Sequence, residues 1–235
     1  MKKMQVAIIV ALIALSLGSS WLVQQNREAW LPEKVPVHWG IDFQPDAWVS
    51  RNDMFWYLFG IPLGMVALTG ILYAVIYWLS PKGFEPAKSN PSLAGYIILL
   101  VVAFCAALHG VVLLSYIFPE FPIDRGLMGV LFLFFILLGN VLGKVQRNFW
   151  IGIRTPWTIA NHLVWEKTHR LAAWLFVGVG VLGIASLFIS RVVPAPIMIG
   201  CWIGMIALAA LVPVIYSLVF YKKLERSGKL NEVTA

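Results

Sequence analysis

Charge is scarce in this chain. Asp, Glu, Lys and Arg make up 12% of its 235 residues, against about 25% in an ordinary soluble domain. Hydrophobic residues reach 60%, and the mean hydropathy is +0.82. This excludes a soluble globular protein of the usual kind and points to an integral membrane protein. Cysteine is nearly absent too. Cys105 and Cys201 each lie inside an apolar run, so they read as small packing residues rather than a disulfide framework. Low-complexity tracts and clear internal repeats are missing. So are a Gly-x-Ser-x-Gly nucleophile turn, a His-Glu-x-x-His zinc helix and a dense acidic pair within the apolar runs. The chain therefore reads as a non-enzyme, with no catalytic residues, no metal and no cofactor expected. The net charge of +7 bears on membrane sidedness, and no direct nucleic-acid partner is expected.

What is present is six apolar runs, each near the roughly 20 residues a span needs: Met4–Val23, Met54–Ser80, Leu93–Phe118, Gly126–Gly143, Leu171–Ser190 and Ile197–Tyr221. The fold class is thus an all-α integral membrane protein of six transmembrane helices. Pro62 and Pro213 are expected to kink the second and sixth. The first run follows Lys2 and Lys3 like a signal peptide, but Trp21-Leu-Val continues past its small residues, so it reads as a retained anchor. With the N-terminus inside, 13 of the 18 Lys and Arg fall on the inner side and five on the outer, while seven of the 11 acids are outer. The positive-inside rule then gives an N-in/C-in topology. Membrane lipids are the first partners this implies, and the 11 Trp suit interfacial aromatic belts.

The longest outer segment, 24–53, is rich in Pro and aromatics. Val35-Pro-Val-His-Trp39 favours an extended strand, because Pro32, Pro36 and Pro45 keep the chain out of helix, and Asp42 to Asp46 reads as a turn. A short ordered extracytoplasmic cap follows. Its candidate ligand-binding residues are Trp30, Pro36, His38, Trp39, Asp46 and Trp48. The plainer reading rests these aromatics at the interface as anchors. His38 with Asp42 and Asp46 offers one imidazole among spaced carboxylates, which is too little for a metal set.

The longest inner connection, 144–170, carries Asn148-Phe-Trp-Ile-Gly-Ile-Arg-Thr-Pro-Trp157. Thr155 suits an N-cap and Pro156 the first helical position. An interfacial helix Trp157–Arg170 would place His162, Glu166 and His169 on one face, with Leu163 and Trp165 among the headgroups. Arg154 beside Gly152 suits a phosphate or carboxylate. The candidate functional motif is Asn148, Gly152, Arg154, Thr155, Pro156, Trp157, Trp165, Thr168, His169 and Arg170. Within the runs, His109 and Asn140 are the polar residues of interest, since intramembrane polar groups are costly and often functional. Gly60, Gly64, Gly178, Gly180, Gly183, Gly200 and Gly204 read as close-packing positions.

The inner stretch Asn148–Thr158, followed by Val164-Trp-Glu-Lys-Thr-His-Arg-Leu-Ala172, resembles the signature of the SdpI-type bacterial immunity proteins. Leu31-Pro-Glu-Lys-Val-Pro-Val-His-Trp-Gly40 with Pro45-Asp-Ala-Trp48 resembles the uncharacterised membrane domain that often precedes it. The resemblance implies a two-span domain over 1–80 and a four-span domain over 81–235 in the bacterial cytoplasmic membrane. It also implies protection against a secreted, membrane-active peptide toxin, and signalling by holding a cytoplasmic transcriptional repressor at the membrane. Two departures stand out. Phe43 occupies a place where the outer motif usually has Gly. Ile159-Ala-Asn-His162 replaces a start with Ser and acidic residues, which is expected to weaken the helix cap and alter a partner surface. Two other classes stay open: a membrane enzyme or transporter using His residues, and a structural or lipid-organising protein.

Overall fold

Asn90 and Pro91 show how local chemistry places the helices. The Asn90 side chain accepts from the Leu93 amide at 3.0 Å, and Pro91 takes the first position, where no amide donor is needed. In the computed structural model, which describes residues 1–83, 90–190 and 192–230, this start opens the third of six long helices. Lys88 and Arg191, both in the charge count, lie outside the described residues.

The elements are α1 (Lys3–Gln25), α2 (Arg27–Trp30), β1 (Lys34–Trp39), β2 (Pro45–Ser50), a 3-10 turn (Arg51–Asp53), α3 (Phe55–Tyr77), α4 (Pro91–Ile117), α5 (Ile123–Leu142), α6 (Pro156–Ala160), α7 (His162–Ile189) and α8 (Ala195–Arg226). Helices α1, α3, α4, α5, α7 and α8 are long and apolar enough to cross a membrane. The protein is a multi-pass membrane protein. Five of the expected runs match their helices to within a turn or so at either end. The fifth begins well before its expected start, at His162, because polar residues 162–170 continue the same helix.

Helix α1 packs on α3 and α4, and α5 packs closely on α7, which also touches α8. The α5–α7 seam is built on glycine. A Cβ on Gly139 would lie 2.9 Å from the Ala173 carbonyl oxygen and the Val177 nitrogen, and one on Gly180 would lie 2.7 Å from the Phe132 carbonyl oxygen. Gly183 lies under the Phe132 ring, so that ring is fully buried. Of the glycines expected to pack helices, only Gly180 and Gly183 do so. Gly60, Gly64, Gly178, Gly200 and Gly204 have nothing within 4 Å of an added Cβ. Gly126 and Gly139 are close-approach positions that the spacing did not reveal.

The cap is an antiparallel hairpin of β1 and β2. A lone two-stranded hairpin is marginal in water. This one is held by its inner face: Val35 is fully buried with Leu31 against Val23, Met54, Leu58, Leu113 and Tyr116. Arg51 pairs with Glu28 at 2.8 Å and ties the hairpin base to α2.

Candidate functional site

Two regions carry the chemistry, one at each end of the bundle. At the hairpin end, the turn closes through Phe43, whose amide donates to the Gly40 carbonyl at 2.9 Å. Phe43 has φ +59, a left-handed conformation that costs a residue with a Cβ about 1–2 kcal/mol. The backbone thus takes the conformation a Gly would favour, while the ring reaches across to Trp202 of α8, edge to face at 6.2 Å. Trp39 stacks on Tyr116 of α4 at 6.3 Å.

Between these contacts lies a cavity of about 550 Å³, walled by the hairpin, the α4–α5 turn and the start of α8. Pro36, Trp39 and Trp48 line it. The other three candidate cap residues do not: His38 pairs across the strands with Asp46 at 2.5 Å on the exposed face, and Trp30 is half-exposed at the end of α2. Phe43, Tyr116, Asp124 and Trp202 also line the cavity. Reading along the chain missed them because three come from distant helix ends, where a ring or an acid looks like an ordinary interfacial residue.

At the opposite end, residues 144–161 form an ordered loop. Asn148 is buried and uses its whole amide. Its Oδ1 accepts from the Trp150 and Ile151 amides at 2.8 and 2.7 Å, and its Nδ2 donates to the Gln146 and Ile151 carbonyls at 2.8 and 2.9 Å. Thr155 caps α6: its Oγ1 accepts from the Thr158 amide at 3.2 Å, and Thr158 Oγ1 accepts from the Thr155 amide at 2.9 Å. Pro156 follows at the first helical position. A 3.0 Å hydrogen bond between the Thr155 and Ser217 hydroxyls fastens this cap to α8.

His169 locks the loop from the side. Its Nδ1 donates to the Trp165 carbonyl at 2.8 Å and its Nε2 accepts from the Ile153 amide at 2.9 Å, which defines a neutral imidazole. The ring stacks on Trp165 at 4.1 Å, and the Trp165 indole donates to the Val145 carbonyl at 2.7 Å. Gly152 has φ +115, and an added Cβ would collide with His169 Nε2. Its close approach is therefore to His169 and Trp165. Arg154 projects from this platform. It is exposed, has no acidic partner among the described residues, and sits over the Phe149 ring at 4.4 Å.

The helix expected from Trp157 to Arg170 is divided at Asn161, which is extended and caps α7 by accepting from the Val164 amide at 3.1 Å. Asn161 thus supplies the cap that the sequence comparison expected to be weak. Trp165 is buried rather than among headgroups. His162 is exposed, Glu166 pairs with Arg170 at 3.5 Å and His169 is buried, so the three do not share a site. Among the described residues, no three His, Cys, Asp or Glu side chains come together as a metal set. Thr168 is buried with its hydroxyl unpartnered among the described residues. Trp157 is half-buried.

Of the intramembrane pair, Asn140 is exposed on α5. His109 is buried where α1, α3 and α4 meet, its Nε2 lying 3.1 Å from Ser20 Oγ and 3.2 Å from the Ser16 carbonyl.

Residues 144–218, which contain the loop, α6, α7 and most of α8, match the SdpI/YfhL protein family. Residues 7–66, which contain the hairpin, match a domain of unknown function (DUF1648). Over residues 144–218 the chain resembles the SdpI/YfhL protein family. Immunity protein SdpI of Bacillus subtilis (strain 168) is 29% identical over 228 residues, covering 97% of this chain and 100% of that protein. No solved structure matches. The family match holds every residue of the Asn148–His169 lock and its Ser217 anchor, and the hairpin lies wholly within the preceding match. Phe43–Trp202 therefore joins the two matched regions.

Proposed function

We propose that this protein is a non-enzymatic immunity protein of the SdpI type in the bacterial inner membrane, protecting its host from a secreted, membrane-active peptide toxin. The observation that carries the reading is similarity to an immunity protein along 97% of the chain. The positive-inside bias supports placing both termini and the Arg154 loop in the cytoplasm, with the hairpin outside.

In this reading the toxin is met at the hairpin cavity. Helix α8 then links capture to the interior. Trp202 near its outer end touches Phe43, and Ser217 near its inner end holds Thr155. About 22 Å of helix separates them, with Pro213 between. Occupancy outside shifts α8, and the Arg154 platform presents a changed surface to a cytoplasmic repressor.

The test is survival of a sensitive bacterium challenged with a killing-peptide preparation. Cells carrying the wild-type chain, Arg154→Ala, or a deletion of 30–48 are compared at matched membrane abundance. Protection by the wild type and loss in the deletion supports outer capture. Absence of protection by a correctly inserted wild type overturns the immunity reading. A reporter under the host repressor separates signalling: Arg154→Ala is expected to abolish induction while the protein stays in the membrane.

A further inference from the structure

The cavity under the hairpin has more specific chemistry than an apolar slot. Trp39, Phe43, Tyr116 and Trp202 supply aromatic walls from three separate parts of the chain. Two carboxylates, Asp42 at the turn and Asp124 in the first turn of α5, line the same space. Asp42 accepts one backbone hydrogen bond, from the Gln44 amide at 3.1 Å. Neither acid has a cationic partner among the described residues. Lys34 is the only cation among the lining residues and is exposed. The acids therefore outnumber the cation in a space lined by four aromatic rings.

Aromatic faces and carboxylates favour the same kind of ligand. The negative face of an indole or phenol ring attracts an ammonium or guanidinium group, most strongly where water is excluded, and a carboxylate supplies the opposite charge. The volume of about 550 Å³ falls in the range of roughly 300–1,000 Å³ typical of ligand sites, room for one basic side chain and its apolar neighbours. The geometry points to a site for a basic side chain of an otherwise apolar peptide, seated among Trp39, Phe43, Tyr116 and Trp202 and paired with Asp42 and Asp124. This deepens the capture reading above and rests on it for the peptide's origin. An anionic peptide is disfavoured by the same residues, since its carboxylate would meet two like charges.

The experiment uses the full chain in nanodiscs of phosphatidylglycerol. The probes are fluorescently labelled, N-acetylated hexapeptides of Leu and Ala carrying one central Lys, norleucine or Glu, with empty nanodiscs subtracted. The Lys peptide is expected to bind about tenfold more tightly than the norleucine peptide, and the Glu peptide more weakly than either. Asp42→Asn with Asp124→Asn should remove the preference for Lys. Lys34→Gln should strengthen binding of the Lys peptide, a gain that a misfolded variant would not give. Equal binding of the three peptides overturns the inference, as does an unchanged Lys preference in the double variant. Loss of Lys-peptide binding on changing the nanodisc to phosphatidylethanolamine also overturns it, because the site would then hold a lipid ammonium headgroup. The survival assay keeps the two ideas apart. Protection without Lys selectivity defeats the site and spares the immunity reading; selectivity without protection does the reverse.

Discussion

Ser20 of α1 donates its hydroxyl proton to the Leu58 carbonyl of α3 at 2.6 Å. Leu58 lies four residues before Pro62, which has no amide hydrogen to return to that carbonyl. The hydroxyl thus replaces the donor that proline removes. His109 Nε2 lies 3.1 Å from the same Ser20 oxygen and 3.2 Å from the Ser16 carbonyl. A proline inside a membrane helix is tolerated when a neighbouring helix satisfies the freed group, and here one serine does so while joining α1, α3 and α4. Ser20→Ala should lower stability by about 1 kcal/mol. Adding Pro62→Ala should recover most of that loss, since the helix regains its own donor. Denaturation of the purified protein in micelles checks both. An unrescued double variant would show that the serine acts through packing alone.

The α5–α7 seam gives a sharper contrast between two glycines five residues apart on α7. Gly183 lies under the Phe132 ring, whereas Gly178 faces open space. Gly183→Ala should cost about 1–3 kcal/mol through overpacking. Gly178→Ala should be neutral or slightly stabilising, because alanine is the better helix former. Melting temperatures of the two variants decide this, and equal shifts would mean that the seam is looser than its geometry implies.

These residues also show what a single sequence can reveal. The six spans were legible because bilayer thickness sets their length, and β1 because prolines restrict its backbone. The caps at Thr155 and Pro156 were legible because the donor is local. Gly178 and Gly183 looked alike because one-dimensional spacing does not say which face meets a partner. The cavity was half-legible: Trp39 and Trp48 lie in the hairpin motif, but Tyr116, Asp124 and Trp202 join it only through tertiary packing. His169 stood out as a titratable residue, yet its partner is the Ile153 backbone amide, a contact that no residue-type pattern encodes.

Phe43 sets backbone cost against ring contact. Its φ of +59 disfavours any residue with a Cβ, by about 1–2 kcal/mol. Its edge-to-face contact with Trp202 returns about 0.5–1.5 kcal/mol. Phe43→Gly should therefore leave overall stability nearly unchanged while uncoupling the hairpin from α8. A double-mutant cycle of Phe43→Gly and Trp202→Ala should show a coupling of about 0.5–1.5 kcal/mol. Strictly additive effects would show that the hairpin does not communicate with α8 through this pair.

Gly152 and Arg154 are two residues apart and should fail in different ways. Arg154 is exposed, and its guanidinium sits over the Phe149 ring. Arg154→Ala should change stability by less than about 1 kcal/mol, and any loss of function would come from the missing cation itself. Gly152→Ala places a methyl group on a backbone at φ +115 and drives it into His169 Nε2, the atom that accepts from the Ile153 amide. It should cost about 1–3 kcal/mol and release the loop from α7. Limited trypsin digestion of detergent-solubilised protein reads the release directly. Cleavage after Arg154 should accelerate in Gly152→Ala, and in His169→Ala as well, because each removes the same lock. If both variants resist trypsin as the wild type does, the loop owes its order to Asn148 and Thr155 instead, and His169 is a buried packing residue with a satisfied ring.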